Sequence, residues 1–226
     1  MKTSKERFPD SEIGVGSRIG VGSKLGENST IEAHARIGAN SKIGANSKIG
    51  AYARIGADSR IGAGSMIGSY SQIGADSVIG AGSRIGPDSK IGADSRIGPN
   101  SEIGVNSEIG VGSEIEANSV IWENSVIGVN SLIEAGSKIG AYSVIGADSR
   151  IGPNSVIGAG SVIEVHHLSG YTWNLYDDLR SGVPVKILRF GCVLLPLSVF
   201  RDNLEALCVH HDPKILPKLR DLLATL

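Results

Sequence analysis

The chain has 226 residues, with 22 Lys plus Arg against 23 Asp plus Glu and a formal net charge of −1. That balance gives no reason to expect nucleic acid or an anionic membrane as a partner. The only two cysteines, Cys192 and Cys208, do not make a secreted disulfide framework, and no run approaches the roughly 18 consecutive apolar residues that span a bilayer.

In chain order, residues 1–6 form a short polar arm without the apolar core of a signal peptide. A soluble, cytoplasmic protein is the expectation. From Arg7 to Leu168 the chain is an unbroken series of six-residue units, IGVGSR, IGVGSK, LGENST, IEAHAR and onward to IGAGSV and IEVHHL. The first unit, RFPDSE, is degenerate, and the run holds 27 hexads. A period of six is incompatible with the 3.6-residue stripe of an amphipathic helix, and a glycine in most units opposes helix as well. Position one is Ile in nearly every unit and is expected to point inward as a ladder of branched side chains. Position four is Asn, Asp or Gly in most units, residues that tolerate the left-handed backbone of a tight corner. Position five is Ser, with Ala at Ala35 and Ala53. It is small enough for a narrow interior, and its hydroxyl can satisfy the backbone. Position six varies freely, as an outward strand residue should.

The aliphatic-Gly-x-x-Ser/Ala-x pattern, held in one phase over about 160 residues, resembles the hexapeptide-repeat family of left-handed parallel β-helices. The resemblance implies a mainly β fold, a triangular solenoid with three hexads per turn and therefore nine coils. The left hand is implied by the family, since the general rule for parallel crossovers is right-handed.

Stacking residues 18 apart sorts position six into three faces. The first five coils are mostly basic outside, with Arg18, Arg36 and Arg54 in one column. The sixth carries Glu102, Glu108 and Glu114, and the last three are largely apolar. Val126, Val144 and Val162 form one apolar column with Trp122 beside it, and Leu132 and Leu168 stand on another face. Exposed apolar ladders mark interfaces, so these six residues are the expected interface, covered by the C-terminal segment folding back, by neighbouring subunits of a homo-oligomer, or by both together. The family resemblance implies a trimer. Two corner columns also stand out. His34, Tyr52 and Tyr70 could hold a sugar or a base, or simply dress the surface. Asp58, Asp76 and Asp94 could bind a divalent cation, or serve only as good corner residues.

After the repeats, residues 169–226 read as a capping or oligomerisation tail. It should hold a β-hairpin, from Tyr171–Tyr176 and Val183–Phe190, and two short helices. One helix spans Leu197–Val209. The other starts at Asp212 or Pro217 and runs to Leu226.

The chemistry is less legible. Acyltransferases with this repeat use a histidine base between subunits and take the acyl group from coenzyme A or acyl carrier protein. The histidines here are His34, His166, His167, His210 and His211. His166 and His167 replace the corner residue and the inward Ser of the last hexad and are the nominated candidates, with His34 a third. No metal site is expected, because zinc needs at least three convergent ligands. No loop interrupts the hexads, although the family's acyltransferases usually extrude one. The sequence therefore points to a non-catalytic scaffold without cofactor. The alternative is an acyl-CoA-dependent O- or N-acyltransferase with an inter-subunit site.

Overall fold

The computed structural model describes residues 8, 10–168, 171–178, 185–190 and 193–196, with side-chain positions as far as residue 163. The described residues contain no helix. None is therefore long and apolar enough to cross a membrane. The chain divides into two compact units, residues 1–160 and 161–226.

The first unit is built from 25 two-residue strands. They run from β1 (Glu12–Ile13), β2 (Arg18–Ile19) and β3 (Lys24–Leu25), one every six residues, to β25 (Val156–Ile157). Each joins position six of one hexad to position one of the next. Every third strand pairs in parallel at a register of 18 residues, as in Glu12↔Thr30, Arg18↔Arg36 and Lys24↔Lys42. Three parallel sheets result, and the expected columns are borne out.

Each position does the work its residue type suggests. The position-one isoleucines from Ile31 to Ile151 are buried, at most 6% exposed. At position four, all eighteen non-glycine residues with positive φ and all seven such glycines turn a corner through the left-handed region. The position-five hydroxyls reach the next coil, where Ser95 Oγ donates to the Gly110 carbonyl at 2.8 Å and Ser77 Oγ to that of Gly92 at 2.9 Å. The serine hydroxyl thus satisfies a carbonyl of the neighbouring coil in most hexads; Ala35 and Ala53 cannot, and Ser149 and Ser155 bond the Gly146 and Gly152 carbonyls instead. Backbone bonds between coils come from positions six, two and four: Arg18 N–H to Ala35, Gly20 N–H to Ile37 and His34 N–H to Val15. Glycine suits position two because the coils approach closely there. A Cβ on Gly74 would lie 2.3 Å from Ala93 N.

Where Glu replaces that glycine, its side chain joins the ladder. Glu32 Oε2 accepts the Ala51 N–H at 2.9 Å, and Glu116 Oε2 accepts that of Ala135 at 3.0 Å. The equivalent neighbour of Glu134 is Pro153, which has no N–H. Glu134 Oε1 accepts instead from Arg150 Nε at 2.6 Å. Glu32 also pairs with Lys48 at 2.9 Å. The Lys48 hydrogen bond, aided by the Ala51 N–H and opposed by partial burial, holds the Glu32 carboxyl below its ordinary value. A carboxyl lowered in the folded state stabilises fully above its unfolded pKa and loses that contribution as pH falls through the folded one. Glu32→Gln should therefore flatten part of the acid-side loss of thermal midpoint below the usual carboxylate range. An unchanged pH profile would assign that loss to other carboxylates.

The structure closes eight coils, and β25 begins a ninth, where 27 hexads imply nine. The last hexad does not turn its corner. Val162–Leu168 is one seven-residue strand, β26, because position five is there His167. The slot that holds Ser in the units from Ser23 to Ser149, with exposures of 0–5%, has no room for an imidazole. In the second unit β26 pairs antiparallel with β27 (Tyr171–Asp178), β27 with β28 (Val185–Phe190) and β28 with β29 (Val193–Pro196). The expected hairpin is β27–β28, and it sits inside a four-stranded antiparallel meander. The two expected helices lie outside the described residues.

Candidate functional site

Position six determines what each face presents. In the fifth coil Arg84, Lys90 and Arg96 stack against Glu102, Glu108 and Glu114 of the sixth. The ring of glutamates is thus neutralised coil against coil, and Lys90 closes to ion-pair distance of Glu108. The first coils differ. Arg18, Arg36 and Arg54 stack in register with no carboxylate across from them.

Two depressions mark the face that carries those arginines. One is an open groove of about 560 Å³ at the corner of the first four coils. Arg18, Arg36 and Arg54 form one wall, His34, Tyr52 and Tyr70 the other, and Asp88, next in the ring column, lines the far end. The three rings stack, with centroids 4.9 Å apart for His34–Tyr52 and 5.1 Å for Tyr52–Tyr70. The second is a shallow trough of about 570 Å³ farther along the same sheet. Gly56, Gly74, Gly92, Gly110 and Gly128 floor it, and Arg54 and Gln72 border both depressions. Eight successive position-two glycines, from Gly20 to Gly146, keep this face free of side chains along its midline. The other two faces carry Glu or Trp there. The trough is mainly apolar, with Arg54, Lys90 and Glu108 at its sides, and its floor follows one column of stacked glycines.

The sequence-predicted residues fall as follows. His34 lines the groove at φ +59°. His166 and His167 lie on β26, opposite Trp173 and Thr172 in the antiparallel ladder, with side chains outside the description. His210 and His211 also lie outside it. Val126 and Val144 stack in register, 37% and 41% exposed. Trp122 is 52% exposed but follows Ile121 of the first sheet, so a corner at Asn124 separates it from the valines. Leu132 is half-buried on the third sheet. Val162, 42% exposed, opens β26, and Leu168 ends it opposite Tyr171. The Asp58, Asp76 and Asp94 column forms as expected at a corner. Among the described residues no group of three His, Cys, Asp or Glu is placed to hold a metal ion. Sequence reasoning noted the arginine column and the aromatic column but missed that they face each other across one groove. It also missed the trough. The signal for the trough was present: the eight position-two residues of this column from Gly20 to Gly146 are all Gly, and only Glu164 of the last hexad departs.

Two family descriptions match the chain. "Bacterial transferase hexapeptide (six repeats)" matches residues 34–75, and "GMPPB C-terminal domain" matches residues 82–167. No curated protein matches. Among solved structures, LpxA from Acinetobacter baumannii aligns at 20% identity over 68% of this chain and 69% of its own, with a TM-score of 0.44. The UDP-N-acetylglucosamine O-acyltransferase LpxA of Moraxella catarrhalis aligns at 21% over 66% and 61%, with a TM-score of 0.41. PerB from Caulobacter crescentus, in complex with CoA and GDP-perosamine, aligns at 16% over 68% and 53%, with a TM-score of 0.33.

Proposed function

For a chain that belongs to the hexapeptide-repeat family of left-handed parallel β-helices, we propose an acyl-CoA-dependent O- or N-acyltransferase acting as a homo-oligomer, with its site between copies. The observation that carries this reading is the glycine-floored trough in a chain whose repeats match the transferase hexapeptide description. The trough takes the extended donor arm of the acyl carrier, and a neighbouring copy covers it, since one sheet alone leaves it open to water. The exposed Val126 and Val144, with Trp122 around the corner, supply the apolar contact such a neighbour needs. The nominated bases remain His166 and His167. A neutral imidazole there would take the proton of the acceptor hydroxyl or amine as it attacks the thioester carbonyl, and return it to the sulfur as the C–S bond breaks and coenzyme A leaves as the thiol.

A second reading, a non-catalytic scaffold, is favoured by one observation. All 25 corners from Gly16 to Gly160 turn in the same conformation. No loop leaves the solenoid to build walls around a reacting centre.

Calorimetry with acetyl-CoA, on protein whose mass in solution has been measured, separates the two. Binding in the micromolar range by an oligomer, lost in a His166→Ala/His167→Ala variant or accompanied by transfer that this variant lacks, supports the transferase. A folded oligomer that does not bind acetyl-CoA leaves the scaffold. Val144→Lys is expected to lower the oligomer mass, because a buried unpaired ammonium is costly. An unchanged mass would remove this column from the interface.

A further inference from the structure

We propose that the groove of the first four coils is a binding site for a linear acidic polysaccharide, lying along the solenoid axis with its carboxylates or sulfates on the arginine column. The inference stands apart from the transferase reading and shares only the bordering residues Arg54 and Gln72 with its trough.

The first observation is a column of three guanidinium groups without an ion pair among the described residues, in a groove whose far end Asp88 lines. Arg18, Arg36 and Arg54 are direct register partners in successive coils, an arrangement that repels. No ion pair or hydrogen bond of any of the three guanidinium groups is found among the described residues. At other places the solenoid sets acid against base, as in Lys48–Glu32, Lys90–Glu108 and Arg150–Glu134, while Lys24, Lys42 and Arg60 form a second all-basic column on another sheet, without the ring wall. The second observation is backbone strain. Asn, Asp and Gly hold all but four of the corners, and those four are His34, Tyr52, Tyr70 and Tyr142. Bulky residues are uncommon in the left-handed region, at φ +59°, +58° and +61° for the first three. Such strain collects at functional sites. Three of the four stand consecutively in one column, opposite the arginine column.

The ring geometry selects the ligand. Tyr52 has a ring on either side at 4.9 and 5.1 Å. Its faces are occupied and only its edge is free. Admitting a base between these rings would break one of the two contacts. An aromatic edge carries the positive end of the quadrupole, so the ring wall and the guanidinium wall favour the same ligand, an anion. The arginines repeat once per coil, about 4.8 Å along the axis by strand spacing. A polymer with one acidic group per sugar advances by a similar step. The phosphates along one strand of duplex DNA come about every 3.4 Å and fall out of register.

The test is titration of the full chain with polygalacturonate at low salt. We expect saturable binding that weakens with added salt. Arg36→Ala/Arg54→Ala should weaken it by tenfold or more, on the order expected for loss of charge-assisted bonds. Tyr52→Asn installs the commonest corner residue, so the fold should hold its thermal midpoint while binding weakens severalfold. Lys42→Ala/Arg60→Ala removes the same charge from another sheet and should change affinity far less. Absence of polygalacturonate binding would overturn the proposal. So would equal losses in the two double variants, or tighter binding of single-stranded oligothymidylate.

Discussion

Ser95→His is expected to break the solenoid in its middle, giving two unfolding transitions where the parent shows one. Ser95 is fully buried, and its hydroxyl bonds the Gly110 carbonyl at 2.8 Å. An imidazole adds several heavy atoms to a slot with no space and leaves at least one ring nitrogen without a partner. Overpacking costs about 1–3 kcal/mol and an unsatisfied buried polar group about as much again. In a solenoid each coil touches only its neighbours, so the damage stays local and uncouples the two ends. Circular dichroism melting and hydrogen exchange, coil by coil, would resolve the two halves. A single unshifted transition would show that the slot accepts histidine. The straight course of β26 past His167 would then need another cause.

Ile103→Ala should cost about 2–5 kcal/mol, the range for deleting a buried aliphatic side chain in a core that cannot collapse. Ile103 is 1% exposed and stacks between Ile85 and Ile121. The neighbouring coils are held at fixed spacing by the Gly86 N–H to Ile103 carbonyl bond and the Gly104 N–H to Ile121 carbonyl bond, both 2.7 Å. The backbone therefore cannot close over the cavity. Chemical denaturation measures the loss. A change under about 1 kcal/mol would mean that the coils shift to fill the space. The same truncation outside, Val126→Ala, removes a side chain already 37% exposed and should cost far less.

The repeat made most of the fold legible. A strict period of six with Ile, Gly, Ser and an Asn/Asp/Gly corner is a local code, because each hexad folds by contacts with its copies 18 residues away. The inward isoleucines, the serine hydroxyl bonds, the left-handed corners and the three columns all followed from residue type and spacing alone. The sequence could also have forecast the straight last hexad. His167 stands where every earlier unit has Ser or Ala, and weighing its volume against that slot would have given eight closed coils instead of nine.

What the three-dimensional arrangement decided was which columns meet. Arg18, Arg36 and Arg54 and the rings of His34, Tyr52 and Tyr70 are adjacent columns in the string. Only the corner geometry turns them into opposite walls of one groove. Trp122 and Val126 are four residues apart, yet the corner at Asn124 places them on different sheets. The neutralisation of the glutamate ring by Arg84, Lys90 and Arg96 was implicit in the 18-residue register, but which cation reaches its acid depended on side-chain placement, and Lys90 does. Periodicity determines which residues stack, because stacking is a property of one dimension. Grooves and ion pairs depend on how neighbouring columns are angled and how far each side chain reaches, and those are properties of the folded surface.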